Sequence, residues 1–275
     1  MSSNPILYES HMHTPLCKHA QGYPEEYAAV AEQRGLKGII VTCHNPTNDG
    51  WAPWVRMSID QLDEYVALVE NTRQAWAGRV DVRLGMESDY APGMEPWLEE
   101  LHQKADFNHI LGSVHPTLED YKSRYLNGDI VAFQRTYFEH LAMAAETGLF
   151  DTLSHPDLIK IVEPSAWNVE RVMDTIRPVL DRIAATGIAM ELNTSGIHKP
   201  YPEMNPGREI LQEMVQRNIP VVLGADAHTP SRVAADYENA MDILADVGYT
   251  KINFFLNRER QEIDIKTARE SLKAA

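Results

Sequence analysis

Histidine is the residue with most chemistry to offer in this chain, at 11 of 275 residues. Two short motifs, His11-Met12-His13 and Asp226-Ala227-His228, set a pair of donors at i and i+2. On a strand such residues face the same side. His44, Glu87, His115 and His155 each close a further apolar run, and His19 follows the first pair. Imidazole nitrogens mixed with carboxylate oxygens suit Zn²⁺, Mn²⁺ or Fe²⁺. Seven histidines and two carboxylates exceed the needs of one four-coordinate ion, so two or three ions are expected. Glu87, with two oxygens, can bridge a pair of them. The cysteines, Cys17 and Cys43, lack the spacing of a ligand pair, which points away from a thiolate site. Cys17 either approaches the centre from between His13 and His19 or fills an apolar gap. Cys43 alternates with His44 and should face away from it.

Taken singly, each of these residues has a plainer reading as a core histidine, a helix cap or half of an ion pair. Their joint placement does not. The histidines gather at the ends of apolar runs, and only His102 and His140 fall in helix interiors.

Such a site needs elements that each deliver a donor to one point. Strands are predicted over Ile6–His13, Gly38–His44, Val80–Glu87, Phe107–His115, Phe150–His155, Ile188–Asn193 and Ile219–Asp226, with a weaker one over Lys251–Leu256. Helical stretches lie between them. Pro24 and Gly35 suit the two ends of one helix. Ser58 and Gln61 form a capping box ahead of Leu62, Tyr65, Val66 and Val69. Asp129 can cap a helix that ends before Gly148. A run from Asn168 to Thr186 contains Pro178, which should kink or divide it. Further helices are expected from Gly207 to Asn218 and from Ser231 to Val247.

Seven or eight β–α units, with no Gly-rich nucleotide loop, favour a parallel α/β barrel over an open doubly wound sheet. In each strand the metal-capable residue falls at the C-terminal end, where such barrels carry their active sites. No linker, charge block or repeat divides the chain, so residues 1–275 are expected to form one domain.

Composition narrows the partners. With 25 Lys plus Arg against 40 Asp plus Glu, the net charge of −15 argues against a long nucleic acid. No apolar run reaches the roughly 18 residues of a membrane span. The first residues show no basic segment followed by an apolar one, so no leader is expected, and a cytoplasmic location is.

The segments Ser10-His11-Met12-His13-Thr14, Gly112-Ser113-Val114-His115, Ser154-His155-Pro156-Asp157-Leu158-Ile159-Lys160, Glu191-Leu192-Asn193-Thr194-Ser195-Gly196 and Asp226-Ala227-His228 resemble the polymerase and histidinol phosphatase (PHP) superfamily. The likeness is closest to its histidinol-phosphate phosphatase branch, and the motifs occur in the family's order over nearly the whole chain. The resemblance implies a distorted seven-stranded TIM-like (β/α)7 barrel with a trinuclear metal centre. His11, His13, Glu87 and Asp226 would hold the first ion. Glu87, His115 and His155 would hold the second, and His19, His44 and His228 the third.

The chain departs from that branch where arginines usually grip the substrate, carrying Ile159-Lys160-Ile161 and Gly196-Ile197-His198-Lys199-Pro200 instead. Pro116 also follows His115 where an aromatic residue is common. Lys160, His198 and Lys199 are therefore the candidate substrate-binding residues, although a lysine is a point charge and not a fork donor. The expected reaction is hydrolysis of a small phosphomonoester, histidinol phosphate or a related metabolite, by a metal-bridging hydroxide. Glu87 would bridge the ions, Asp226 would also accept a hydrogen bond from the nucleophile, and His198 could protonate the leaving alcohol. The loop Asn45–Met57, with Trp51 and Trp54, either covers the substrate or packs on its neighbours. The alternatives are a phosphodiesterase or nuclease-like hydrolase of small nucleotides, and a non-catalytic metal-binding module.

Overall fold

The computed structural model describes residues 5–273. Residues 1–4, where a leader would begin, and residues 274–275 lie outside the described part. The chain begins with β1 (Tyr8–Glu9) and α1 (Pro24–Arg34), then β2 (Gly38–Val41), α2 (Leu62–Ala75) and β3 (Asp81–Asp89). It continues through α3 (Glu95–His102), β4 (His109–Ser113), α4 (Glu119–Tyr125), α5 (Ile130–Glu146) and β5 (Thr152–Leu153). Next come α6 (Met173–Thr186), β6 (Ala189–Asn193), α7 (Arg208–Gln216), β7 (Val221–Gly224) and α8 (Tyr237–Val247). A hairpin of β8 (Lys251–Leu256) and β9 (Glu259–Asp264) precedes α9 (Ile265–Ser271).

Strands β1 to β8 pair in parallel in chain order, and β9 pairs antiparallel with β8. Helices cover the outer face, so strands such as Gly38–Val41 are buried throughout and read as continuous apolar runs. The inward stripe of α6, with Met173, Ile176, Val179, Leu180 and Ile183, is an example of that cover.

Closure occurs at the mouth. Met12 pairs in parallel with Ala227, just past the ends of β1 and β7. His13 N–H donates to Ala227 O at 3.0 Å and Ala227 N–H to His11 O at 3.0 Å. Further down, β8 takes the place beside β7, and Phe254 stacks on Tyr8 with ring centroids 4.8 Å apart. The seven strands β1 to β7 thus form the expected distorted barrel, drawn together where the histidines stand.

Several local expectations are refined. The first, fifth and seventh strands are shorter than predicted, and the chain leaves the fifth and seventh through left-handed residues: His155 has φ 29° and Asp226 φ 48°. Left-handed backbone is uncommon outside glycine and concentrates at functional sites. Asp129 caps α5 as expected, accepting from Val131 N and Ala132 N. Pro178 lies inside α6 without dividing it, and the break falls earlier, at a 3-10 turn over Val169–Arg171. The last long helix starts at Tyr237 and not at Ser231, since Ala234 and Asp236 adopt positive φ.

One glycine ties the fold to the site. A Cβ on Gly224, at the end of β7, would overlap Glu191 Oε1 and stand 2.8 Å from the His11 Cβ. Gly224→Ala should therefore cost about 1–3 kcal/mol of stability by overpacking and displace Glu191 from His11. A lowered urea midpoint together with weakened zinc binding is the expected result; an unchanged midpoint would contradict it.

Candidate metal centre

The strand ends converge on Glu87, which is 1 % exposed. His44 Nδ1 lies 2.6 Å from its Oε2 and His13 Nε2 3.6 Å from the same atom. His155 Nε2 at 3.0 Å, His115 Nε2 at 3.3 Å and His11 Nε2 at 3.5 Å surround Oε1, which also accepts from Ser113 Oγ at 2.8 Å. Asp226 Oδ1 stands 3.1 Å from His13 Nε2 and 3.7 Å from His11 Nε2. His11, His13 and Asp226 have ligand atoms within 4.8 Å of one another, and so do His44, Glu87 and His115, and His13, His44 and His228.

Several of these contacts are close without being hydrogen-bonded. His11 Nε2, His44 Nδ1 and Glu87 Oε2 are all buried and have no aligned partner. Leaving such groups unsatisfied costs about 1–3 kcal/mol each. Lone pairs that point at one centre from several sides are what a divalent cation requires, so the donor set fits the metal that the sequence implied.

A layer of outer contacts fixes the rings. His11 Nδ1 pairs with Glu191 Oε1 at 2.6 Å, which turns Nε2 toward Glu87. Glu191 is itself held by His155 N–H at 2.8 Å and Asn193 Nδ2 at 3.0 Å. His115 Nδ1 pairs with Asp89 at 2.6 Å, and Arg56 grips Asp89 through two bonds of 2.7 Å. Burial alone would raise the Asp89 carboxyl, but the Arg56 guanidinium and His115 hold it well below the usual range. Glu9, beneath them, accepts from the backbone N–H groups of His11, Ala225 and Ala234. Such outer partners orient ligand rings and strengthen them as donors. Sequence reasoning assigned no role to Arg56, Asp89, Glu191 or Glu9, although Asp89 and Glu9 each sit two residues from a candidate ligand on the same strand face.

The rings divide by charge preference. Burial would lower His13, yet its hydrogen bond to Asp226 raises it to about 9. His11 and His115 are also raised, against their burial, by the carboxylates beside them. Burial and the charge of His13 push His228 down to about 4, and burial lowers His44 and His155.

The remaining candidates fall in different places. His19 and His228 meet at the mouth with their Nε2 atoms 3.0 Å apart. Lys199 Nζ reaches Asp226 Oδ2 at 3.2 Å, next to Ser195 Oγ on the same oxygen at 3.1 Å. His198, 55 % exposed, stands on the rim with Nε2 2.9 Å from Arg232 Nη1 and 3.2 Å from Asp236 Oδ2.

Lys160 is a correction. Its ammonium is wholly buried and donates to Asp157, Glu203 and the Met204 carbonyl at 2.7–3.0 Å, so all three of its N–H bonds are engaged within the protein. It clamps the segment after β6 onto the turn after β5 and has no donor left for a phosphate. The two cysteines meet. The turn after β1 brings Cys17 to Cys43, and both thiols lie with His13 in one buried group. Trp51 is buried, with Arg124 4.7 Å above its ring, while Trp54 is 55 % exposed.

The chain is similar to several known proteins. The PHP domain model matches residues 9–195. A probable histidinol-phosphatase of Deinococcus radiodurans is 37 % identical over 255 residues, covering 90 % of this chain and 96 % of that protein. The histidinol-phosphatase of Bacillus subtilis is 24 % identical over 260 residues, covering 84 % and 96 %. Among solved structures, the histidinol phosphate phosphatase of Lactococcus lactis, in complex with zinc, L-histidinol and phosphate, shares the fold. Its TM-score is 0.79 at 17 % identity, with 93 % of this chain and 98 % of that chain covered.

A ring must be neutral at the nitrogen that binds a metal, so binding displaces protons from the raised histidines. Zinc affinity should therefore rise with pH through about 9, the value to which His13 is raised. Calorimetric titration in buffers of different ionisation heat should report proton release at pH 7; heats independent of the buffer would contradict the assignment.

Proposed function

The chain belongs to the PHP domain family, and we propose that it hydrolyses a small phosphomonoester, histidinol phosphate or a close relative, in the cytoplasm and as one catalytic domain. The observation that carries this reading is the Glu87 carboxylate, set among five imidazoles at a barrel mouth that also presents Asp226 and Lys199. Three divalent ions are the proposed complement. His11, His13, Glu87 and Asp226 would hold one, Glu87, His115 and His155 a second, and His19, His44 and His228 a third. When bound, such ions lower the pKa of water and neutralise phosphoryl oxygens.

The chain's own residues do the rest. Asp226 divides its oxygens: Oδ1 faces the histidines, while Oδ2 takes Ser195 and Lys199. That places a hydrogen-bond acceptor for the attacking water beside a cation for the phosphate. Lys199 neutralises Asp226 before substrate arrives and can share its charge with the phosphoryl group afterwards.

The fork donor that the sequence lacked after the fifth and sixth strands comes from elsewhere. Arg232, in the turn after His228, reaches the rim, and its Nη2 is shielded from water without a protein acceptor. Turned outward from Asp236 and His198, it would offer that nitrogen to a phosphate or carboxylate. His198 Nε2, shared between Arg232 Nη1 and Asp236 Oδ2, accepts from the guanidinium when the ring is neutral with its hydrogen on Nδ1, and would donate to the carboxylate once protonated. Protonation of the leaving alcohol by His198 thus requires Arg232 to let go, as it would on turning to substrate.

Zinc- or manganese-loaded protein should release phosphate from histidinol phosphate, and Asp226→Ala should abolish that release. Failure to hydrolyse any member of a panel of small phosphomonoesters, or equal rates on bis-p-nitrophenyl phosphate, would sink the proposal. Lys199→Ala should raise KM about tenfold, the equivalent of one charged contact, with a smaller effect on kcat. For His198→Asn, loss of the alkaline limb of the pH–rate profile is expected; an unaltered profile removes His198 from the acid role.

A further inference from the structure

After β1 the chain makes a 3-10 turn over Pro15–Cys17, and Lys18 takes a left-handed conformation, φ 68°. This reversal sets Cys17 inward, fully buried, and brings His19 back over the mouth. The ligand atoms of Cys17, His19 and His228 then lie within 4.8 Å of one another.

The tautomers of the two histidines are settled by the backbone. His19 Nδ1 lies 2.7 Å from Cys17 O, and His228 Nδ1 lies 3.0 Å from Asp226 O. A carbonyl can only accept, so each Nδ1 carries the hydrogen and each neutral ring has a bare lone pair at Nε2. Those two lone pairs face each other at 3.0 Å. Neither has a hydrogen to give, so the contact cannot be a hydrogen bond between neutral rings; a cation between them resolves it. The second unsatisfied group is His13 Nδ1, buried, without a hydrogen-bond partner, and grouped with Cys17 and Cys43. Cys43 Sγ is engaged by Thr14, through its hydroxyl at 3.2 Å and its N–H at 3.4 Å. Cys17 is the sulfur that faces the histidine pair.

We propose that Cys17 is a metal ligand, so that the outermost ion is held by the Cys17 thiolate with His19 and His228. This rests on the metal-centre reading above and changes one of its ligand sets, with sulfur joining the nitrogens. Zinc–sulfur and zinc–nitrogen bonds of about 2.3 and 2.0–2.1 Å require donors about 3.3–3.6 Å apart in a tetrahedron; the donors here lie within 4.8 Å of one another and would draw inward on binding. On binding, the S–H bond gives way to a metal–sulfur bond and the proton leaves to water, with no change of oxidation state. A soft thiolate selects a zinc-type ion at this position against magnesium and manganese, which prefer oxygen.

X-ray absorption at the zinc edge of the wild-type protein tests the assignment without reference to activity. A sulfur shell at about 2.3 Å is expected, and the cobalt-substituted protein should show thiolate-to-cobalt charge transfer in the near ultraviolet. Cys17→Ser should remove the charge-transfer band and Cys43→Ser should keep it. Bound zinc with only nitrogen and oxygen neighbours, or a band that survives Cys17→Ser, overturns the Cys17 assignment and leaves the hydrolase reading standing. Protein that retains no zinc at all overturns both. Should Cys17→Ser not fold, the wild-type absorption spectrum decides alone.

Discussion

Five imidazole rings crowd one buried carboxylate, and much of the rest of the molecule follows from that crowding. Glu87 sits where no water can compensate it, and the rings around it approach to 2.6–3.6 Å with several nitrogens unpaired. In an apolar core such an arrangement would be strongly destabilising. It persists because the donors are aimed at points where divalent cations would bind, and because the five rings arrive from the ends of four strands, β1, β2, β4 and β5, of a rigid parallel sheet. A barrel achieves this convergence because adjacent strands end side by side, so single residues far apart in the chain become neighbours at one mouth. The Met12–Ala227 pairing completes the ring at the level of the ligands.

Holding the rings demands a second buried layer, and here the chain places charge in its interior. Glu191 fixes His11, the Arg56–Asp89 pair fixes His115, and Glu9 gathers three backbone N–H groups under the first and seventh strands. The layer is tightly fitted, as Gly224 shows, where even a methyl group has no room between Glu191 and His11. Lys160 serves the same end. Its buried contacts with Asp157 and Glu203 anchor the segment after β6, from whose start Ser195 and Lys199 reach Asp226.

The protein is acidic as a whole, yet its mouth presents Lys199 and Arg232, and divalent ions would add to them. With such ions bound, a small anion would meet a cationic spot there.

How much of this was legible in the residues alone can be followed element by element. Strand-end histidines, the i, i+2 pairs and the β–α alternation are local patterns, so the ligand candidates and the barrel could be read directly. The β9 strand could not, because Glu259–Asp264 is a mostly exposed edge without an apolar face. Nor could the fate of Lys160, whose neighbours in the motif gave no hint that Glu203 and Met204 would consume its donors. The meeting of Cys17 with Cys43, the reach of Arg232 to the rim, and the pairing of Asp89 with Arg56 were equally hidden. Sequence by itself determined which side chains carry chemistry and at which end of the sheet they stand, because strand periodicity is a property of adjacent residues. Only the tertiary structure decided which of them share a centre and which are buried into structural service, because those depend on distances between strands and turns far apart in the chain.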